Sequence, residues 1–297
     1  MKYSEQTLQN WTAPLSATEE KRAEDTIKMI KSAIDSNEEL RRLDYEVFTQ
    51  GSFANNTNVR SESDVDVCVM LTSSFYYHLP EGKSPHDYGF TTPAIITFQR
   101  YRELVKKALE DKFGERYVTD GNKSLKVKEN TYHVQADIVP AFQYRYYVSA
   151  NNRQYAEGIC FYTKDKNEKV VNYPKQHIQN GRTKNNRTNR QYKALVRIMK
   201  HIKNDMVEEN RTNGDVITSF LVECLVWNVP DNIITGYQTW TETVKNAIAY
   251  LHGSIENGKY TEWGEVSEKL YLFHNGRKWS ANDVKEWLLN AWTYIGF

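Results

Sequence analysis

Cysteine is scarce in this sequence, and its few occurrences lie far apart. Among 297 residues there are three, Cys68, Cys160 and Cys224, each in an apolar stretch and none in Cys-x-x-Cys spacing. This distribution argues against a disulfide framework and against a zinc centre. We interpret the three side chains as buried thiols of a protein in the reducing environment of the cytoplasm.

An excess of charge of one sign and long apolar runs are also missing. The chain has 39 Lys and Arg residues against 38 Asp and Glu residues, a formal net charge of +1. Because proteins that bind nucleic acid non-specifically carry a strong basic field, we expect no obligate nucleic-acid partner. The first residues lack the apolar run of a signal peptide and no segment is long enough to span a bilayer, so we expect no membrane partner.

The spacing of the apolar residues predicts two lobes. Residues 1–170 combine helical spacing, beginning with a long N-terminal helix, with strand-like alternation, which predicts an α/β (α+β) lobe. In residues 171–297 the spacing is helical and predicts a bundle. The predicted helices cover residues 17–35, 96–113, 190–207, 215–228, 240–252 and 281–295, and the predicted strands cover 44–50, 64–71 and 131–139. We interpret residues 76–93, with His78 and His86, as a loop.

The most informative segment is residues 50–71, QGSFANNTNVRSESDVDVCVML. Side chains two residues apart on a strand share a face, so Asp64 and Asp66 point the same way while Val65 and Val67 point to the other side. Two carboxylates on one face repel each other unless a cation lies between them. Mg²⁺ prefers such carboxylates together with polyphosphate oxygens, so the pair predicts a Mg²⁺ site that could also take Mn²⁺.

The Gly-Ser pair at the start of this segment supplies a phosphate-binding turn. Gly51 allows the backbone to approach phosphate oxygens closely, and Ser52 adds a hydroxyl donor. A helix that begins near Ala54 would direct its free N–H groups at the same anion. Together with the two aspartates, the turn predicts binding of a nucleoside triphosphate and its metal.

A third carboxylate follows in residues 131–142, TYHVQADIVPAF. Its alternating pattern predicts a strand that carries Asp137 toward its end. Three carboxylates can hold two metal ions about 4 Å apart for an in-line displacement. Asp137 would also accept the proton of an attacking ribose hydroxyl. A lone Asp-Val-Asp is usually a strand edge and a lone Gly-Ser a turn, so it is their combination that predicts catalysis.

These motifs resemble those of the polymerase-beta-like nucleotidyltransferases. Four further segments, EGICFYT at 157–163, VVNYPKQHIQNG at 170–181, KNNRTN at 184–189 and FLVECLVWNVPD at 220–231, make the chain similar to clade E of the bacterial CD-NTases, the CdnE enzymes, from about residue 50 to 231. The resemblance implies a lobe with a mixed sheet, a helical second lobe, and an enzyme that joins two nucleoside triphosphates into a cyclic dinucleotide with release of pyrophosphate. Such enzymes generate signals for CBASS anti-phage defence.

The resemblance also implies which residues bind nucleotide. They are Gln50, Gly51, Ser52, Asn172, Lys200 and Ser219, to which we add Thr57, Lys175 and Lys184. Spacing alone favours Lys200 as one of several solvated lysines, and only the resemblance makes it a nucleotide ligand. The position that matches Asn172 lies against the substrate base, and an amide offers uracil both a donor and an acceptor. We therefore expect UTP and ATP as substrates, with cyclic UMP-AMP ahead of cyclic di-UMP as product, from a monomer whose product acts on a separate effector.

Two other functions stay open at this point. One is a nucleotidyltransferase toxin that modifies a protein or RNA acceptor. The other is a nucleotide-binding protein that has lost turnover, which the presence of Asp64, Asp66 and Asp137 makes the weaker alternative.

Overall fold

A computed structural model describes residues 1–59, 64–131, 133–149, 154–274 and 276–297. Residues 60–63, inside the 50–71 motif, and residue 132, inside a predicted strand, lie outside the described residues. The helices in the described part are α1 (Glu5–Trp11), α2 (Ala17–Ser36), α3 (Gly51–Asn55), α4 (Phe98–Phe113), α5 (Pro174–Arg187), α6 (Gln191–Glu208), α7 (Ser219–Trp227), α8 (Asp231–Thr235), α9 (Trp240–Glu256) and α10 (Ala281–Ile295). The strands are β1 (Tyr45–Gln50), β2 (Val65–His78), β3 (Val118–Asp120), β4 (Leu125–Val127), β5 (Ala136–Tyr147), β6 (Tyr155–Tyr162) and β7 (Lys169–Asn172).

The chain forms two compact units that are not consecutive in sequence. The sheet unit comprises Ser16–Ala54 and Ser63–Lys175, and the helical unit comprises Met1–Leu15, Asn55–Glu62 and Gln176–Phe297. The division expected from the sequence assigned all of residues 1–170 to one lobe. Residues 1–15 cluster with the helices instead, because Leu8 packs into the helical core and the Arg197 guanidinium donates to the Thr12 carbonyl.

The sheet unit contains a mixed sheet. Its described strands run in the order β1-β2-β5-β4-β3, with β6 paired to β5 and β7 paired to β6. Only β2 and β5 are parallel among these pairs. Helices α2 and α4 cover one face, where Val65, Val67 and Val69 are buried as the alternation predicts.

A second apolar cluster lies on the opposite face of the same sheet. It contains Cys68, Met70, Val139, Ala141, Ile159 and Phe161. Because side chains alternate along a strand, Asp66 on β2 and Asp137 on β5 share this face with Cys68 and Val139. We call it the carboxylate face.

Strand β2 is longer than the sequence pattern predicts. It continues to His78, whereas residues from 76 onward were expected to be loop. The reason is that β5 pairs with it as far as Tyr146, beyond a register shift between Leu71 and Phe75. The His78 ring stacks on Tyr146 with 4.5 Å between the ring centroids, which secures the end of the strand.

The helical unit is built around the buried helix α6. Its stripe of Tyr192, Leu195, Met199 and Ile202 is fully buried, as the helical spacing predicts. Helix α7 begins at Ser219 and not at 215, because the Thr218 hydroxyl accepts the Leu221 N–H and caps it there. None of the helices in the described ranges has the length and apolar character needed to cross a membrane.

Candidate active site

Three carboxylates come together at one end of the sheet. Asp66 on β2 lies directly opposite Asp137 on the parallel strand β5, and Asp64 immediately precedes β2. Asp137 is the second residue of β5 and so lies near its start, not toward its end as the sequence pattern predicted. The alternation that was assigned to the strand begins in the segment before it, where the Gln135 amide donates to Asp64 Oδ2 at 2.8 Å.

The environment of these carboxylates favours a cation. Burial raises the pKa of Asp64, and the neighbouring Asp137 charge raises it further, against the lowering effect of the Gln135 hydrogen bond. Asp137 Oδ1 is buried and has no hydrogen-bond partner among the described residues. Its other oxygen, Oδ2, lies 3.6 Å from Lys126 Nζ. A buried carboxylate oxygen without a donor costs free energy that a bound cation would offset.

The donor chemistry of the site fits Mg²⁺ or Mn²⁺. Carboxylate oxygens are the hard ligands that both ions prefer. Within the described ranges, no three His, Cys, Asp or Glu side chains are already arranged as a metal site. Asp64, Asp66 and Asp137 are the residues that would hold such an ion.

The Gly-Ser turn lies directly against Asp66. Helix α3 begins at Gly51 itself and not near Ala54 as predicted, and Gly51 has φ +66°. A side chain at Gly51 would collide with the Asp66 carboxylate, whose Cγ would be 2.8 Å from the added Cβ. Gln50, the preceding residue, is opposite Asp66 across the β1–β2 pair, and Ser52 follows in the first turn of α3. The predicted phosphate-binding turn and the predicted metal ligands are thus neighbours.

Asn172 and Lys175 also belong to the sheet unit. Asn172 ends β7 opposite Ile159, and its amide makes no hydrogen bond to another described residue. Lys175 behaves differently, because its ammonium lies 2.6 Å from Glu46 Oε2 and 2.7 Å from Glu157 Oε1. The amide is available to a ligand, whereas the ammonium is held between two carboxylates.

In the helical unit, Lys200 is the centre of a buried polar cluster. The side chain is 1 % exposed, so it does not lie on the solvated side of the helix, where the sequence pattern put it. Its ammonium lies 3.1 Å from the Thr57 carbonyl oxygen and 3.2 Å from Glu223 Oε2. Glu223 Oε2 also accepts the Thr57 hydroxyl at 2.7 Å, and Glu223 Oε1 lies 3.0 Å from His177 Nε2.

Glu223 is the residue of this cluster that sequence reasoning missed. Burial alone would raise its pKa, but the Lys200 charge, His177 and Thr57 outweigh burial and hold the pKa well below the usual range. The carboxylate is therefore ionised inside the unit. Its signal in the sequence is a single acidic residue in the otherwise apolar run FLVECLVW.

Lys184 and Ser219 also lie in the helical unit. The Lys184 ammonium donates to the carbonyls of Trp227 and Val229, both at 2.7 Å, and lies 3.3 Å from Asp231 Oδ1. These contacts use its three N–H donors within the unit, and the nucleotide contact expected of Lys184 stays a prediction. Ser219 is the first residue of α7.

Comparisons with known proteins assign the family. Residues 27–141 match the nucleotidyltransferase domain, and residues 179–296 match the cGAS/DncV-like nucleotidyltransferase C-terminal helical domain. The chain is similar to two curated cyclic dipyrimidine nucleotide synthases named CdnE. That of Cecembia lonarensis is 45% identical over 100% of this chain and 99% of the relative, and that of Legionella pneumophila is 39% identical over 98% and 97%.

A solved structure extends the similarity to the fold. The CdnE c-UMP-AMP synthase of Rhodothermus marinus, solved with Apcpp and Upnpp, superimposes with a TM-score of 0.86 at 31% identity, over 99% of this chain and 98% of that chain. The predicted polymerase-beta-like lobe with a helical second lobe is confirmed. The chain belongs to the CD-NTase family of nucleotidyltransferases, as a cyclic dinucleotide synthase of the CdnE type.

Proposed function

We propose that this enzyme is a Mg²⁺-dependent synthase that uses UTP for at least one position of its cyclic dinucleotide. The observation that carries the proposal is the Asn172 amide, which keeps both its donor and its acceptor free of other described residues. Uracil offers the complementary pair at its carbonyl and imide edge. Asn172 lies in the same unit as Asp64, Asp66 and Asp137.

The carboxylates give each bond-forming step its chemistry. A ribose hydroxyl oxygen attacks the α-phosphorus of the second nucleotide, its proton passes to Asp137, and pyrophosphate leaves. A second round of the same reaction closes the ring. When bound by Asp64, Asp66 and Asp137, Mg²⁺ or Mn²⁺ supplies positive charge for the attacking and leaving oxygens. Gly51 gives the triphosphate access to the backbone beside Asp66.

The donor triphosphate is assigned to Ser219 and Lys200 on the strength of the family resemblance. For Lys200 this assignment has a cost, because its ammonium must exchange a hydrogen bond to Thr57 or Glu223 for one to a phosphate oxygen. A charge-assisted bond to phosphate is stronger than the bond to the neutral Thr57 oxygen that it would replace.

The names of the relatives support a product with two pyrimidines. The sequence alone ranked cyclic UMP-AMP ahead of cyclic di-UMP. The relatives at 45% and 39% identity are named cyclic dipyrimidine nucleotide synthases, whereas the c-UMP-AMP synthase structure is 31% identical. We therefore rank a dipyrimidine product first. We further propose that a monomer makes it and that a separate effector of CBASS anti-phage defence reads it.

The product spectrum tests this function. Purified protein is incubated with single and paired nucleoside triphosphates and Mg²⁺ or Mn²⁺, and the products are identified by mass spectrometry. We expect a uridine-containing cyclic dinucleotide that disappears in Asp64→Ala/Asp66→Ala and gains purine in Asn172→Ser. A product made only of purines would contradict the pyrimidine assignment. Label on a protein or RNA acceptor, without free dinucleotide, would favour the toxin alternative.

A further inference from the structure

Lys175 has surroundings that do not suit a phosphate ligand. Its ammonium is 2.6 Å from Glu46 and 2.7 Å from Glu157, so one positive charge faces two negative charges. Both carboxylates and the ammonium are less than half exposed, which leaves their interaction only partly screened by solvent. A triphosphate approaching Lys175 would also approach the two glutamates. Attraction of an anion by this lysine is therefore not the function that the charges favour.

The carboxylates that hold Lys175 come from two separate strands. Glu46 is on the edge strand β1, opposite Met70, and Glu157 is on β6. Glu157 is held in turn by the Gln143 amide, which donates to it at 2.6 Å. Lys175 thus connects the beginning of helix α5 to both sides of the carboxylate face.

The chain between Asn172 and Lys175 is short, and its backbone conformation is restricted. Pro174 is the first residue of α5, and its ring fixes the backbone angle φ. The residue before a proline is restricted to extended conformations, and Tyr173 is in addition 6 % exposed, with its ring 6.4 Å from Tyr144 between centroids. A displacement of Lys175 is therefore passed on to Asn172.

Gly158 packs closely against the segment that contains Asn172 and Tyr173. A Cβ at this position would lie 2.8 Å from the Asn172 carbonyl oxygen and 3.0 Å from the Tyr173 ring. Glycine lets β6 approach β7 closely where Asn172 ends the strand. The Asn172 backbone is thus fixed on one side by Gly158, while the Lys175 bridge fixes the chain three residues later.

We propose that Lys175 is a positioning residue for base selection, which bridges Glu46 and Glu157 and thereby fixes the Asn172 amide against the pyrimidine. This inference rests on the proposed function, because it assumes that Asn172 reads the base. Two hydrogen bonds to one base edge require that the amide be held to within about 0.5 Å. The bridge supplies that constraint without touching the nucleotide.

The test compares base choice with overall turnover. Lys175→Met is given UTP and ATP at equal concentration, uridine and adenosine in the product are counted by mass spectrometry, and pyrophosphate release gives kcat and KM. We expect the ratio of uridine to adenosine to fall about tenfold, as for the loss of a well-placed specificity contact. Glu157→Gln and Glu46→Gln should change the ratio in the same direction. Lys175→Arg, which can still bridge two carboxylates, should retain it.

The controls separate this role from the others. Lys107→Met breaks an exposed ion pair with Asp111 on α4 and should leave the ratio unchanged. A Lys175→Met protein whose KM rises equally for every triphosphate at an unchanged ratio would overturn the inference and show a phosphate ligand. Unaltered base choice in all the Lys175, Glu157 and Glu46 variants would overturn it as well. Wild-type protein that incorporates no uridine would instead overturn the proposed function, and the role of Lys175 with it.

Discussion

The ammonium of Lys200 lies 3.2 Å from the carboxylate of Glu223, and the two side chains are only 1 % and 5 % exposed. Such a pair contributes little net stability compared with apolar side chains, but the loss of one member leaves a buried charge without its partner. The same lysine is also proposed to bind the donor triphosphate. Its two roles, in the fold and in binding, therefore have to be measured separately.

Lys200→Met should be strongly destabilised, and a second substitution should restore the fold. We expect the free energy of unfolding to fall by about 3–5 kcal/mol, because Glu223 keeps its charge in a buried site. In Lys200→Met/Glu223→Gln the charge is removed, while the amide still bonds Thr57 and His177, so most of the loss should be recovered. Urea denaturation of both variants measures this.

Turnover of the double variant then distinguishes the two roles. We expect it to stay low although stability returns, because no ammonium is left for the triphosphate. If turnover returned together with stability, Lys200 would serve the fold alone. Lys285→Met, which breaks a half-exposed pair with Glu256 in the same unit, is the control and should change stability by less than about 1 kcal/mol.

Lys184 should make the stability of the protein rise in mildly alkaline solution. Burial lowers its pKa to about 8 from the ordinary value of 10.5. Between these two values the unfolded chain binds more protons than the native protein, so the free energy of unfolding increases as pH rises. Below pH 8 the lysine is charged in both states and the cost of burying that charge is fully present.

The difference between wild type and Lys184→Met isolates this effect from other titrations. We expect wild type to gain stability relative to the variant between pH 8 and pH 10, as measured by urea denaturation at each pH. A constant difference across that range would mean that the buried ammonium does not titrate there.

Gly51→Ala should lower turnover by more than the strain of a left-handed alanine explains. An added Cβ collides with the Asp66 carboxylate and would move a proposed metal ligand. A displacement of about 1 Å at a reacting centre can lower turnover about 100-fold. Gly82→Ala is the matched control, because Gly82 has φ +74° but nothing within 4 Å of an added Cβ.

Both glycine variants carry the cost of a left-handed alanine, about 1–2 kcal/mol. Only Gly51→Ala should lose pyrophosphate release in addition. Equal activity of the two variants would mean that Asp66 tolerates displacement, which would contradict its proposed role as a metal ligand.

Local patterns predicted the longer helices except α5, the strands β1, β2 and β5, and the clustering of the carboxylates, but not β3, β4, β6 and β7. The alternation of Val65, Val67 and Val69 gave the face of β2, and helical spacing gave α6 and α10, because each depends on neighbours a few residues away. The burial of Lys200 was not predictable in this way. Its partners Thr57 and Glu223 lie 143 and 23 residues away in sequence. Contacts at such distances are set by tertiary packing, which no local period records.

The end of β2 and the place of Asp137 illustrate the same limit. The length of β2 is set by its pairing with β5, and the start of β5 is set by its partners β2 and β4, so neither boundary follows from its own residues. From the sequence, the same role, nucleotide binding, is predicted for Lys175 and Lys184. In the structure, Lys175 lies between two glutamates, whereas the Lys184 ammonium donates to two backbone carbonyls.

The discontinuous helical unit has a consequence for the order of events during synthesis. Leu8 belongs to the same core as Trp287 of α10, and the Lys2 N–H donates to the Ile295 carbonyl at 2.7 Å. The ribosome makes the first of these residues tens of seconds before the last, at about 5–20 residues per second. The sheet unit can close while the chain is still growing. The helical core must wait until α10 has been made, and until then Leu8 has none of its final neighbours from that helix.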